Sequence, residues 1–268
     1  MTAAQAAEEK VSALSKEFAQ KATVTGRKLT KEEQKAAKKA AKKQERAKLA
    51  EESRRISSTL SAARFAEDGT TPRDHLENFA AFAKFDRNGL QLTLKAFARG
   101  AEGGVPPEVL KACFDMTEAN MKASYEESGW GWNALKKQRE LESEEARLLV
   151  AFDTDDVPRA FLHFRFEREE DQLVLYVYEV QVDQATCARK GVGRHIMLLA
   201  ELIARRAGMD WVCLTVLNCN EAAAKFYERL GYKMDETSPQ VSQMEGEEDA
   251  SYTILSKRCG AKPATASA

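Results

Sequence analysis

The chain has 268 residues, 43% of them hydrophobic, with twelve Phe, three Trp and six Tyr. That is enough to build one substantial domain with extensions, or two small ones. Its five cysteines (Cys113, Cys187, Cys213, Cys219, Cys259) lack CxxC spacing, and its three histidines (His75, His163, His195) form no HxxxH pair; this speaks against a disulfide framework, a zinc site and a metal mechanism, and fits a reducing compartment. No apolar run approaches the roughly 20 residues of a membrane helix, and the N-terminus lacks an apolar signal core, so a soluble intracellular protein is expected.

The formal charge of −1 conceals an asymmetry. Between Gly26 and Ala50, ten Lys and Arg stand against three Glu, so the rest of the chain is net acidic and favours a cationic substrate. Residues 1–62 are rich in Ala, Lys, Glu, Gln and Ser and can form a solvated helix, but they cannot bury enough surface to fold alone. They read as a basic, flexible arm. The run from Lys35 to Lys43 is open to two readings, a solvated charged arm or a nuclear-import or nucleic-acid-binding patch.

Apolar periodicity begins near Pro72. Phe79, Phe82 and Phe85 stand one helical turn apart before the Asp86-Arg87-Asn88-Gly89 turn. Pro106-Pro107-Glu108 reads as a helix start, and Leu110, Cys113, Phe114, Met121 and Tyr125 keep helical spacing up to Gly129. The stretch 72–145 is therefore expected to be a helical segment packed on the domain that follows.

From Ala146 the pattern changes to strands at 148–152, 159–166 and 172–182, with an acidic turn expected at 167–171. A helix follows from Gly193 to Ala207, then a strand from Trp211 to Leu217. A second helix from Asn220 to Leu230 ends at Gly231, and a last strand covers 251–256. Residues 259–268 read as a flexible tail. This order gives an α/β (α+β) fold, a mixed central sheet flanked by helices with an N-terminal helical extension.

The loop Arg189-Lys190-Gly191-Val192-Gly193-Arg194 stands at a helix start. Its glycines allow close backbone approach, the first free N–H groups of the helix point outward, and three cations add charge; a pyrophosphate suits such a nest. A plain strand-to-helix turn would look the same. Glu179, in the middle of an apolar strand, is costly there without a reason.

Four features occur in order: Glu179-Val-Gln-Val, the glycine loop with its helix, a strand, and Asn220-Glu-Ala-Ala-Ala-Lys-Phe226-Tyr227 followed by Gly231-Tyr232. Together, over about residues 146–256, they resemble the GCN5-related N-acetyltransferase (GNAT) superfamily. The resemblance implies the GNAT fold and acetyl-CoA as acyl donor, with no metal. It places pyrophosphate on Arg189, Lys190, Gly191, Val192, Gly193 and Arg194, the pantetheine arm beside Val180, Gln181 and Val182, and a cofactor contact at Asn220. Where the family usually has Gln or Arg three residues before Gly191, this chain has Ala188; the backbone amides that do most of the binding are unaffected.

Lys84-Phe-Asp-Arg-Asn-Gly-Leu90, Gly129-Trp-Gly-Trp132, His163-Phe-Arg-Phe166, Leu175-Tyr-Val-Tyr-Glu-Val-Gln181 and Asp235-Glu-Thr-Ser-Pro239 extend the likeness over residues 72–258. These motifs are similar to those of the histone-specific N-alpha-acetyltransferases. That resemblance implies acetyl transfer to histone N-terminal tails beginning Ser-Gly-Arg-Gly (the H-four and H-two-A types), a monomer, a location in nucleus and cytoplasm, and a basic arm open to ribosome or nucleic-acid contact. It implies Glu179 as general base, and a peptide site of Tyr125, Trp130, Glu167, Arg168, Glu169, Tyr178, Thr215 and Tyr252, with the acidic segment anchoring the Arg at the third position of the tail.

A peptide α-amine, with a pKa of about 7.7–8.0, needs only modest base assistance. Glu179 can equally be read as an ion-pairing residue at a strand kink. Tyr227 is either the proton donor to the departing thiolate or a core residue, and Tyr178 is expected to point to the face opposite Glu179. Two other functions fit the same residues: acetylation of a Lys or small amine on the same fold, or a non-catalytic chromatin or ribosome binding module.

Overall fold

The computed structural model describes residues 30–99, 101, 104–169, 171–242 and 250–259. Contacts divide the chain into two units, Met1–Ser58 and Thr59–Ala268. Most of what is described of the first unit belongs to helix α1 (Lys31–Arg64), whose 34 residues are mainly Ala, Lys, Glu, Gln, Arg and Ser with no Gly or Pro. From Lys31 onward the expected arm is thus a continuous helix; residues 1–29 lie outside the described residues. Lys35, Lys38, Lys39, Lys42, Lys43 and Arg46 are all exposed, and their three- and four-residue spacing sets them on one face.

The second unit is built on an eight-stranded sheet. Its strands are β1 (Lys84–Arg87), β2 (Leu90–Ala98), β3 (Arg147–Phe152), β4 (Pro158–Glu169), β5 (Gln172–Val182), β6 (Trp211–Leu217), β7 (Lys233–Met234) and β8 (Tyr252–Arg258). The order across the sheet is β1-β2-β3-β4-β5-β6-β8-β7, and every pair is antiparallel except β5–β6. A parallel pair needs a crossover. Here it is α4 (Val192–Arg206), which buries Val192, Ile196, Met197, Leu199, Ala200, Ile203 and Ala204. Helices α2 (Pro107–Glu127) and α3 (Ala134–Leu141) contribute Val109, Cys113 and Leu141 to a core shared with Leu148, Val150, Phe152 and Phe161 of the sheet. Two short helices, α5 (Glu221–Arg229) and α6 (Pro239–Ser242), complete the unit.

Several expectations need correction. The Phe79, Phe82, Phe85 spacing does not continue a helix: a 3-10 turn (Glu77–Phe82) ends and Phe85 is a buried residue of β1. Asn88 and Gly89, at φ 54° and 69°, make the tight turn into β2, a conformation that favours Asn-Gly in two-residue hairpins. The stretch 72–145 therefore carries a β-hairpin as well as α2 and α3. Nor is residue 146 a boundary, because β2 pairs with β3 from Thr93↔Phe152 to Ala98↔Arg147.

The acidic turn at 167–171 is mostly strand. Glu167, Arg168 and Glu169 pair with Val174, Leu173 and Gln172, so the hairpin closes later than composition suggests. At the C-terminus, Cys259 is buried and its N–H donates to the Asp210 carbonyl at 2.9 Å, so it is tied to the fold; residues 260–268 of the expected tail lie outside the described residues. Among the described residues no helix is long and apolar enough to cross a membrane.

Candidate active site where two strands part

Strands β5 and β6 pair only from Val174↔Trp211 to Val177↔Leu214, although β5 runs on to Val182 and β6 to Leu217. Each keeps its other neighbour: β4 stays on β5, and β8 stays on β6 as far as Leu217↔Tyr252. The two halves of the sheet therefore diverge after Val177 and Leu214, and a cavity of about 640 Å³ opens there. Its walls include Glu179, Val180 and Gln181 from β5 and Leu214 to Leu217 from β6.

At the same place β5 is irregular against β4. His163 faces Glu179 while the adjacent Phe164 faces Val177, which leaves Tyr178 as the extra residue of a bulge. Regular alternation would put Tyr178 and Glu179 on opposite faces. The bulge cancels that alternation, and both side chains line the cavity, contrary to the expectation for Tyr178.

Glu179 is buried with both carboxylate oxygens held. Oε1 accepts from Lys137 Nζ at 2.8 Å, and Oε2 accepts from Gln181 Nε2 at 2.7 Å. Lys137, at 7% exposure, also donates to Glu140 Oε1 at 2.7 Å and to the Tyr125 hydroxyl at 3.1 Å. Burial works against its charge, but Glu179, Tyr125 and Glu140 outweigh it, and its pKa lies above the ordinary lysine value. The ion pair foreseen as an alternative for Glu179 thus exists, inside the cavity. Sequence reasoning missed Lys137, which sits in the charged run Lys136-Lys137-Gln138-Arg139-Glu140. The one available signal is its four-residue offset from Leu141, the other buried residue of α3.

The resemblance sets Gln181 beside the cofactor arm through its backbone. Its side chain links Glu179 to Asn120, whose Nδ2 donates to Gln181 Oε1 and to the Val182 carbonyl, both at 3.0 Å. These bonds tie α2 to the far end of β5. Asn220 caps α5, its Oδ1 accepting the Ala223 N–H at 3.1 Å, and it lines the cavity as well.

Tyr227 also faces the cavity. Its ring packs edge-on against Phe226 and Tyr232, while its hydroxyl has no hydrogen-bond partner among the described residues. Burial, and then the Glu179 carboxylate, raise its phenol above the ordinary value, so it stays protonated at neutral pH.

Of the residues expected to meet a peptide, Tyr125, Trp130, Glu167, Glu169, Tyr178 and Thr215 line the cavity. Tyr178 donates its hydroxyl to Glu167 Oε1 at 2.8 Å, and the Arg165 guanidinium lies 4.3 Å from its ring centre. Tyr125 and Trp130 meet edge-on at 6.0 Å, and Trp130 meets Tyr252 at 5.2 Å. Thr215 Oγ1 and the Tyr176 hydroxyl lie 2.6 Å apart. Glu140, Glu167 and Glu169 line the same cavity, giving it an acidic wall. Arg168 does not join them: its guanidinium is paired with Asp171 at 2.7 Å, as strand alternation between two inward glutamates requires. Tyr252 stands behind Trp130 and does not line the cavity.

The glycine loop lies beyond the cavity lining, at the start of α4. Gly191, at φ 92°, is the residue before the helix, and Arg189 takes a left-handed φ of 59°. Gly193, in the first turn of α4, packs toward the Phe226 ring of α5. Arg189, Gly191 and Arg194 are exposed and Lys190 half-buried, while Val192 is buried in the core. The first-turn N–H groups of α4 have no acceptor within the helix, which makes this end receptive to an anion. The exposed loop, the diverging strands and the enclosed carboxylate together suit a long anionic thioester such as acetyl-CoA. Among the described residues, no group of His, Cys, Asp and Glu could hold a metal ion.

In fold the chain is similar to a ribosomal-protein-S18-alanine N-acetyltransferase from Escherichia coli, at 16% identity and a TM-score of 0.45, over 65% of this chain and 97% of that one. It is also similar to an N-acetyltransferase from Thermoplasma acidophilum in complex with coenzyme A, at 18% identity and a TM-score of 0.44, over 62% and 99%. In sequence, residues 113–232, which hold most of α2, the parting strands, the glycine loop and α5, match the Acetyltransferase (GNAT) family model. The match spans somewhat less than half of the chain; that segment is similar to the GNAT acetyltransferases, and the fold is of the GNAT type.

Proposed function

We propose that the protein transfers the acetyl group of acetyl-CoA to the α-amino group of a histone-type N-terminus beginning Ser-Gly-Arg-Gly. The observation that carries this reading is the placement of Glu179 at the parting of β5 and β6, in a cavity whose wall also presents Glu140, Glu167 and Glu169. Such a wall suits a substrate with two positive charges, its ammonium inward and a guanidinium further out. Glu167, already oriented by Tyr178, is suited to a two-point pair with the Arg side chain.

Acetyl-CoA supplies the acetyl group as an activated thioester. The chain's own residues supply the rest. Glu179 takes the proton from the α-amine, directly or through water, using a lone pair that Lys137 and Gln181 leave over. Backbone N–H groups of β5 left without a partner on the β6 side favour negative charge developing on the acetyl oxygen. Tyr227, protonated and facing the cavity, gives its proton to the departing sulfur. The exposed cationic face of α1 supports contact with nucleic acid, consistent with work on chromatin.

A peptide series tests the substrate. Mass spectrometry of a Ser-Gly-Arg-Gly peptide containing an internal Lys should find acetyl on the α-nitrogen alone. Blocking that nitrogen should abolish the reaction. Equal acetylation of the blocked peptide at Lys would contradict the proposal and favour lysine transfer on the same fold.

A further inference from the structure

The cavity contains one buried cation that the fold does not demand. Lys137 leaves solvent to sit between two carboxylates, 2.8 Å from Glu179 and 2.7 Å from Glu140, while its neighbour Lys136 stays exposed. Bringing an ammonium into the protein costs several kcal/mol unless its partners are well placed. Stability of α3 does not call for it: Leu141 is buried in the core, Asn133 caps the helix start, and Arg165 binds the Glu140 carbonyl at 2.9 Å.

The surroundings of Glu179 show what the lysine can do. Facing it are Tyr125 from α2, Lys137 and Glu140 from α3, His163 and Arg165 from β4, Tyr178 and Gln181 from β5 itself, and Tyr227 from α5. His163 is fully buried with both ring nitrogens unpartnered, and burial holds it neutral. Arg165 spends its guanidinium on the Tyr178 ring and the Glu140 carbonyl. The three tyrosines and Gln181 are neutral, and Glu140 is a like charge. Lys137 is therefore the one cation among the described residues in contact with the Glu179 carboxylate.

We infer that Lys137 is a positioning residue for catalysis: its ammonium pairs with the Glu179 carboxylate and holds it aimed, so that the carboxylate can receive the amine proton. This rests on the reading of Glu179 as base. Without that ammonium the buried carboxylate loses its one opposite charge and keeps Glu140, a like one, which disfavours a charge at that place.

The test measures kcat/KM for the Ser-Gly-Arg-Gly peptide near pH 6 and near pH 9 in Lys137→Gln, Lys137→Met, Lys137→Arg and the surface control Lys136→Gln. Dividing each value by that of the parent at the same pH cancels the titration of the free peptide's own amine. The two neutral variants are expected to lose about tenfold more activity at the lower pH than at the higher one, with acetyl-CoA affinity retained. Lys137→Arg and Lys136→Gln should show a flat ratio. Lys137→Met, whose apolar side chain tolerates burial, provides the measurement if Lys137→Gln fails to fold.

An equal loss at both pH values, or none, would overturn the inference and leave Lys137 as packing. Failure of the base reading looks different: Glu179→Gln would then be as active as the parent. An impaired Glu179→Gln with a flat Lys137→Gln ratio would sink only the role of the lysine.

Discussion

The two halves of strand β5 make opposite use of the same kind of sequence. From Val174 to Val177 the strand is paired on both edges, and Val174, Leu175 and Val177 are at most 3% exposed. From Tyr178 to Val182 it has lost β6 and bulged against β4, and its residues Tyr178, Glu179, Val180 and Gln181 line a cavity. The first half is a clamp that holds the two sides of the sheet together. The second half can diverge, and so hold a carboxylate and open backbone amides, because the first does not.

Breaking the clamp should give the largest effect on stability and the smallest on specificity. Leu175→Ala, at a site with 0% exposure opposite Phe166 and Val212, is expected to cost about 3 kcal/mol in urea unfolding. Val180→Ala, half-buried on the parted side, should cost less than about 1 kcal/mol. Equal costs would erase the distinction between the halves.

A second effect on the clamp depends on pH. His75 packs against Phe164 and Phe166, the residues opposite Val177 and Leu175, and burial followed by Arg147 and Arg73 pushes its pKa down to about 3. The unfolded chain takes up this proton near pH 6.5 and the folded one does not. Stability from this residue is therefore complete above that pH and is lost as pH falls toward the folded value, at about 1.4 kcal/mol per pH unit. His75→Gln should flatten that part of the profile between about pH 6 and pH 4.5, as read from urea midpoints; an unchanged slope would remove His75 as its source.

On the parted side, Glu167→Ala with Glu169→Ala should raise KM about tenfold, or about 1.4 kcal/mol, for a peptide with Arg at its third position. A peptide with Ala there should be nearly unaffected. An equal rise for both would place the guanidinium elsewhere.

Much of this architecture was legible in the residues, and the gaps have physical causes. Helices α4 and α5 and strands β3, β5 and β6 announce themselves through apolar period, a glycine stop and valine-rich runs. The β1–β2 hairpin was hidden because Phe79, Phe82 and Phe85 happen to stand three apart, a spacing shared by a 3-10 turn running into a strand. The acidic stretch at 167–169 looked like a turn because its inward glutamates face a polar cavity instead of an apolar core. A bulge leaves no mark in composition, so the shared orientation of Tyr178 and Glu179 had to come from the register. Of two adjacent lysines on α3, only tertiary packing decides which one turns inward, and Lys137 was lost for that reason.

The central claim is that a carboxylate placed where β5 and β6 separate removes the amine proton. Single-turnover kinetics of Glu179→Gln, with acetyl-CoA binding measured by calorimetry on the same sample, tests it most directly. The account predicts a rate lowered at least about tenfold, about 1.4 kcal/mol of barrier, with acetyl-CoA bound as tightly as before. Turnover equal to that of the parent at matched acetyl-CoA occupancy would contradict it.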